Sequence, residues 1–337
     1  MKANIFDVAK KSGLSTVTVS RVLNNAPTVR EKNRQKVLEA IKELNYSPSS
    51  AARTLKHGRT GVIGLTLTAL NDSVFDGVVK SVFDHSQRSG YFLAISIASE
   101  ASDDTGEASN FLFQEDRVDG IIVLSSLEEE RYISELKKKR IPFVVVDSHQ
   151  EHVYVPTVNV NNYRGGYEAT KHLISLGHTD IAHISGQDTF LSASERRKGF
   201  TDAMTQAGLS PAKIAVGSFG IHCGYDIMKQ WIASGQTPTA VFAADDVIAL
   251  GAMRALMEAK FRVPEDVSVI GYDDQLFADE VYPKLTTMRQ PVEELGEHAV
   301  QILLEQMSEP QDAQHKRTTK ILLEPKLVVR ESTSFKR

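Results

Sequence analysis

The 337-residue chain has one cysteine, Cys223, so it can form no internal disulfide and no cysteine-rich zinc site, and the thiol reads as a small half-buried side chain. It has no run of 18 apolar residues and no basic-then-apolar leader with a cleavage site. Neither a membrane-spanning helix nor a secretory signal is expected, which places the chain in the cytoplasm. GxxxxGK[ST], HExxH, GxSxG and GxGxxG are missing from the contexts that would give them a mechanism. His172, His178 and His183 are separated by six and five residues, which suits no single helix face, so no metal site is expected. Asp245 and Asp273 are the one pair that could serve as acid and base, and nothing else in the sequence supports hydrolysis. No enzyme and no cofactor are expected.

A further absence is local: "SGLSTVTVSRVLNN", residues 12–25, contains no acid. Ser15 is a good N-cap, and Val19, Val22 and Leu23 recur at i, i+3 and i+4, which predicts a short helix with these three inward. The opposite face holds Thr16, Val17, Ser20, Arg21 and Asn24. Upstream, Asn4 and Asp7 have capping-box spacing and Ile5, Val8 and Ala9 form a second apolar stripe that ends near Ser12. Gly13 breaks the chain between them. Two short helices joined by a glycine turn predict a helix-turn-helix, whose second helix can enter the DNA major groove. A third helix is expected to turn Val37, Leu38, Ile41 and Leu44 to the same core.

Residues 1–60 carry 12 basic and 4 acidic side chains, and residues 61–337 carry 27 basic and 39 acidic. A basic head on an acidic body is the asymmetry of a nucleic-acid-binding module attached to something else. Val17 is either packed on the first helix or held outward, where a β-branched apolar residue serves only a partner.

Beyond residue 60 the texture changes. "GVIGLTL" (61–67), "FLAISI" (92–97), "GIIVL" (120–124) and "PFVVVD" (142–147) are short β-branched runs separated by helix-length stretches, and "DIAHIS" (180–185), "TAVFAA" (239–244) and "SVIG" (268–271) repeat the pattern. Helical patterns fall near 194–207 and 246–259. Alternating strands and helices imply parallel sheets covered on both faces. "VYVPTVNVNN" (153–162) reads as extended chain crossing between two such halves. Two doubly wound sheets leave a cleft at the carboxyl ends of their strands, where open α/β sheets bind ligands.

The ordered series "IFDVAKKSGLSTVTVSRVLNN", "VLEAIKELNYSPSSAARTLKHGRTGVIGL", "RRKGF", "AVFAADDVIALGAM", "VPEDVSVIGYDD" and "LTTMRQPVEELG" resembles the LacI/GalR family of transcription regulators along essentially the whole chain. The resemblance implies an all-α helix-turn-helix DNA-binding domain at 1–48, a hinge helix at 49–60 and a two-lobed periplasmic-binding-protein-like core at 61–330. Its N-lobe takes about 61–160 and 291–322, its C-lobe about 161–290 and 323–330, and 331–337 remain as a tail. It further implies a homodimer that binds double-stranded operator DNA under control of a small molecule in the cleft. Relatives that form tetramers append a leucine heptad, whereas this sequence stops at "VVRESTSFKR", so a dimer is expected. Helices near 74–89 and 251–259 are candidates for its interface.

The family places Thr16, Val17 and Arg21 at base edges, with Arg21 able to pair with guanine and Val17 or the Thr16 methyl able to lie on a thymine methyl. Ser15, Thr18, Ser20, Asn24 and Tyr46 fall where it contacts phosphate, which sets register without reading sequence. In "SSAARTLKHGR" (49–59), Leu55 matches a leucine wedged into the central base step from the minor groove, flanked by Arg53 and Lys56. A two-turn helix is too short to be stable alone, so it is expected to order on DNA.

Asp147, Arg196, Asp245, Asp273 and Gln290 match effector-contacting positions, with Phe75, Phe190 and Phe219 as apolar walls. Carboxylates accept hydroxyl hydrogens and arginine donates a planar pair, so a sugar-like effector is expected. Each polar residue could instead be a helix cap or a salt-bridge partner. Asp246 reads as a cap for the helix that starts there. Phe190 and Val74 stand where the family's purine repressor has an arginine and an aromatic, which disfavours a purine corepressor. Gln301 stands where the catabolite-control branch has an arginine that meets a phosphocarrier protein, which argues against a phosphoprotein partner.

Overall fold

The structure, a computed structural model, describes residues 3–23, 26–46, 59–67, 73–97, 111–114, 117–125, 128–211, 213–308 and 319–336. The chain divides into two compact units, Met1–Gly61 and Val62–Arg337.

In the first unit α1 (Ile5–Ser12) begins with the expected capping box: Asn4 Oδ1 accepts from the Phe6 and Asp7 amides at 2.8 and 3.2 Å, and Asp7 accepts from the Asn4 amide at 2.8 Å. Gly13, at φ 68°, ends the helix in the left-handed region that glycine enters without strain. Ser15 Oγ accepts from the Thr18 amide at 3.2 Å and so starts α2 (Thr16–Leu23). Val8, Val19 and Val37 of α3 (Glu31–Glu43) are fully buried and define the small core. Leu38 is not part of it: 52% of its surface stays exposed. Val37, Ala40, Ile41 and Leu44 already form the i, i+3, i+4, i+7 stripe, and a three-helix head has no fourth element to cover the flank where Leu38 falls.

The second unit holds two six-stranded sheets. β1 (Val62–Leu67), β2 (Phe92–Ile97), β3 (Gly120–Leu124), β4 (Phe143–Val146) and β5 (Thr157–Val160) build the first lobe. β6 (Ile181–Ser185), β7 (Lys213–Val216), β8 (Ala240–Ala243), β9 (Ser268–Asp273) and β10 (Thr286–Arg289) build the second. The chain then returns β11 (Lys320–Leu323) to the first sheet and β12 (Lys326–Val328) to the second, giving the orders β11-β5-β4-β3-β1-β2 and β12-β10-β9-β8-β6-β7. All pairings are parallel except β10 with β12. The segment read as a crossing strand is β5, paired in the first sheet with Val158 and Val160 buried; the crossing follows it.

Helices cover both faces of these sheets. On the first lobe α4 (Ser73–Arg88) packs on the last helix, Val292–Ser308, and α5 (Glu129–Lys139) lies before β4. On the second lobe α6 (Asn162–Ser175) packs on α7 (Leu191–Gln206), and α8 (Ile221–Ala233) on α9 (Asp246–Glu258). The residues set apart as a tail are bonded into this lobe, where the Ser332 hydroxyl donates to the Val269 carbonyl at 2.6 Å and its oxygen accepts from the Thr286 amide at 2.8 Å.

Candidate DNA interface and effector cleft

α2 presents Val17 outward, 59% exposed, which decides between the two positions open to it. Arg21, one turn on, is exposed, and Thr16, Thr18 and Ser20 are half-buried along the same helix. Ser15 is exposed with its hydroxyl engaged in the cap. Tyr46 is half-buried against the head's core, so its ring anchors the end of α3. Phe6, 70% exposed on α1, is a second outward apolar residue that periodicity did not single out, because an aromatic at a polar position of an amphipathic helix leaves no stripe to read. Asn24, Arg53, Leu55 and Lys56 lie outside the described residues.

The cleft residues gather at the carboxyl ends of strands. Asp147 follows β4 with φ 52°, and Asp273 ends β9 with φ 110°, a conformation in which a non-glycine side chain is strained. Arg196, in the second turn of α7, is buried: Nε donates to Asn162 Oδ1 at 2.9 Å and Nη1 to the Ala244 carbonyl at 2.7 Å. Its guanidinium lies 3.6 Å from the Tyr272 ring centroid and Nη2 lies 3.6 Å from Asp273 Oδ1. Gln290 Nε2 donates to the same oxygen at 2.6 Å. Burial pushes the Asp273 carboxyl well above the usual carboxylate range, with Arg196 opposing it. Burial likewise raises Glu195 on α7, reinforced by Glu151.

Phe190 and Phe219 meet edge to face at 5.2 Å, and Phe219 lies so close to Gly186 that a Cβ there would fall on its ring. Phe75 is half-buried against the first lobe's core. Of the two adjacent aspartates, the first is the cap. Asp245 is the cap of α9, accepting from the Ile248 amide at 2.5 Å, whereas the sequence pattern points to Asp246. Asp246 instead accepts from Thr287 Oγ1 at 2.5 Å and from the Gln275 amide at 2.8 Å, tying the loop after β9 to β10. The helix begins at residue 246, where its apolar pattern begins, and its capping oxygen comes from the residue before it. Sequence reasoning also missed His149, whose ring contacts Phe190 at 4.8 Å, because a lone histidine in a polar loop carries no periodic signal.

No group of three or more metal-ligating side chains occurs among the described residues, and His172, His178 and His183 are separately engaged. No described helix is long and apolar enough to cross a membrane.

A model of bacterial regulatory proteins of the lacI family matches residues 4–49, and one of the periplasmic binding protein-like domain matches residues 170–333. The HTH-type transcriptional repressor PurR of Pasteurella multocida is 38% identical over 334 residues, 98% of each chain. The lac repressor dimer bound to operator and the anti-inducer ONPF matches with TM-score 0.87 at 30% identity, covering 99% of this chain and 100% of that one. The complex of the transcriptional regulator CelR with cellobiose matches with TM-score 0.73 at 29% identity, over 98% and 99%. This chain belongs to the lacI family of bacterial regulatory proteins, DNA-binding transcriptional repressors with a helix-turn-helix head on a two-lobed α/β core.

Proposed function

We propose that the protein acts in the cytoplasm as a homodimer on a pseudo-palindromic operator, and that a sugar-like, polyhydroxyl effector between the lobes sets its affinity. The observation that carries the effector reading is the constellation around Arg196: a guanidinium 3.6 Å from the Tyr272 ring centroid, carboxylates at strand ends on both lobes, and an aromatic pair whose Phe190 is the N-cap residue of the helix that carries Arg196. Carboxylates and guanidinium supply acceptors and donors for vicinal hydroxyls, and Phe190 and Phe219 supply an apolar face for a ring's C–H side. The Asp245 side chain is committed to its cap, so Asp147, Asp273 and Gln290 carry most of this role. CelR, similar over nearly the whole chain, holds cellobiose.

On DNA, Thr16, Val17 and Arg21 read base edges, while Ser15, Thr18, Ser20, Asn24 and Tyr46 set register on phosphates. Residues 49–60 act as the hinge, with Leu55 as a minor-groove wedge between Arg53 and Lys56. Two heads bind two half-sites well only at the correct spacing, so a ligand that moves the lobes changes operator affinity.

The test is fluorescence anisotropy with a family-type operator, at two salt concentrations, against a panel of sugars, sugar phosphates, nucleosides and purine bases. A sugar that shifts operator affinity by about 1 to 3 kcal/mol, with random-DNA affinity unchanged, supports the reading. A shift produced only by a purine base or nucleoside replaces the effector class, and no shift from any probe removes the effector site.

A further inference from the structure

The loop that follows β4 is held by a buried carboxylate that the DNA- and effector-binding assignments leave unused. Glu129, in the first turn of α5, is 2% exposed. The Ser148 hydroxyl lies 2.8 Å from its Oε1, His152 Nε2 lies 2.5 Å from the same oxygen, and the His149 amide donates to Oε2 at 3.1 Å. A buried carboxylate is costly unless several donors surround it, and here every donor comes from the five residues 148–152. Asp147 immediately precedes them. The effect is to fix in space a loop that would otherwise be free to move.

What that loop presents is His149. Its ring lies 4.8 Å from Phe190, centroid to centroid, and Nε2 lies 3.3 Å from Ser125 Oγ at the end of β3. Phe190 in turn meets Phe219 at 5.2 Å. A row of three rings therefore runs from the loop after β4, two residues beyond Asp147, to Phe190 at the start of α7, the helix that carries Arg196, and on to Phe219. Nδ1 of His149 makes no hydrogen bond to a described residue, and the side chain is half-buried. One nitrogen is tethered, the ring packs on an aromatic neighbour, and the second nitrogen has no hydrogen-bond partner among the described residues. A ring placed this way can give or take one hydrogen bond with directional precision, because its position is fixed before a ligand arrives.

We propose that His149 reads the effector: its imidazole hydrogen-bonds one hydroxyl of the bound ligand, and Glu129, a positioning residue, holds it in place through the 148–152 loop. This rests on the polyhydroxyl reading of the cleft. The competing role is that of a latch, in which the ring only joins the lobes and touches no ligand.

Calorimetric titration separates the two. D-Ribose, D-galactose, cellobiose and guanosine are titrated into wild type, His149→Ala, His149→Gln and Glu129→Gln, and the best-binding sugar is followed by its mono-deoxy analogues. The expected result is an approximately ten-fold loss for the parent sugar on His149→Ala, the size of one hydrogen bond. One deoxy analogue should bind wild type and His149→Ala alike, because it lacks the hydroxyl that the ring reads. His149→Gln should recover most of the loss, since an amide can replace the bond, and Glu129→Gln should weaken the parent sugar more than that analogue. Equal loss of every analogue on His149→Ala makes the ring a latch and overturns the proposal, as does unchanged binding. Failure of every probe on wild type removes the polyhydroxyl reading and this one with it, whereas a probe that binds wild type and His149→Ala equally removes this one alone. Should His149→Ala not fold, as its melting curve without probe would reveal, the imidazole 15N resonances of wild type decide: Nδ1 of His149 shifts with the parent sugar and stays still with that analogue.

Discussion

His183 shows how much a single side chain can cost and where the cost appears. It is fully buried on β6, stacked on Phe242 at 4.7 Å and Phe200 at 5.2 Å, with Nδ1 2.9 Å from the Phe242 carbonyl and Nε2 unpartnered. Burial pushes its pKa down to about 3, so the native ring stays neutral and Nδ1–H is the donor. The unfolded chain takes up a proton near pH 6.5 that the native chain refuses, so this group removes stability as pH falls from about 6.5 toward 3, by about 1.4 kcal/mol per unit. Asp246 has the opposite sign: burial raises it to about 7, against the hydrogen bonds from Thr287 and Gln275, so its contribution is lost as pH rises from 3.8 to about 7. Between pH 4.5 and 6.5 the two slopes oppose each other. His183→Phe removes one of them, and urea unfolding should show the variant gaining about 2 to 3 kcal/mol relative to wild type at pH 4.5 compared with pH 6.5. A difference independent of pH would mean that the native ring titrates normally. On the head, Arg21→Ala should cost about 1 to 3 kcal/mol on operator and flatten the preference at one base pair, measured by anisotropy against single-substituted operators.

At the scale of elements, the second lobe is assembled around two pairs of glycines. α6 crosses α7 where a Cβ on Gly166 would fall on the Arg196 carbonyl and one on Gly199 on the Tyr163 carbonyl. α8 crosses α9 where Gly224 faces the Ile248 carbonyl and Gly251 the Ile221 carbonyl in the same way. Backbone touches backbone at both crossings, so neither can yield by moving a side chain. Gly166→Ala and Gly251→Ala should each destabilise by about 1 to 3 kcal/mol in urea unfolding. Only Gly166→Ala should also weaken effector binding, because it displaces the turn of α7 that carries Arg196, whose guanidinium is fixed by Asn162 and Ala244. An equal loss of affinity in both variants would show that the site responds to stability alone. These crossings were invisible in the sequence, where glycine marks turns and punctuation but carries no record of its partner. The strands buried on both faces were legible as β-branched runs, and so was the head, through its caps and one bare face. β7, β10, β11 and β12 were not, being short, partly exposed or rich in threonine and lysine. In the proposed site, the family resemblance together with positions at strand and helix ends points to Asp147, Arg196, Asp273 and Gln290, whereas periodicity does not resolve which of the adjacent Asp245 and Asp246 caps α9.

For the whole molecule, charge and architecture make separable demands on DNA. The basic head, with 12 basic and 4 acidic residues in its first 60 positions, attracts any duplex through phosphate contacts and counterion release. The acidic core adds nothing to that attraction. If effector control works by spacing two heads, it acts only on DNA that both heads must fit together, and random duplex gives the core no way to sense what the heads hold. Linkage makes this measurable from the ligand's side, because operator must change effector affinity by the same factor by which effector changes operator affinity. Calorimetric titration of the effector into protein saturated with operator should therefore show its dissociation constant displaced by that factor, on the order of 5- to 150-fold. Titration into protein saturated with random duplex of equal length should give the value for free protein. Equal displacement by both duplexes would mean that the ligand feels the charge on the head rather than the spacing of a pair, and would overturn control through the lobes.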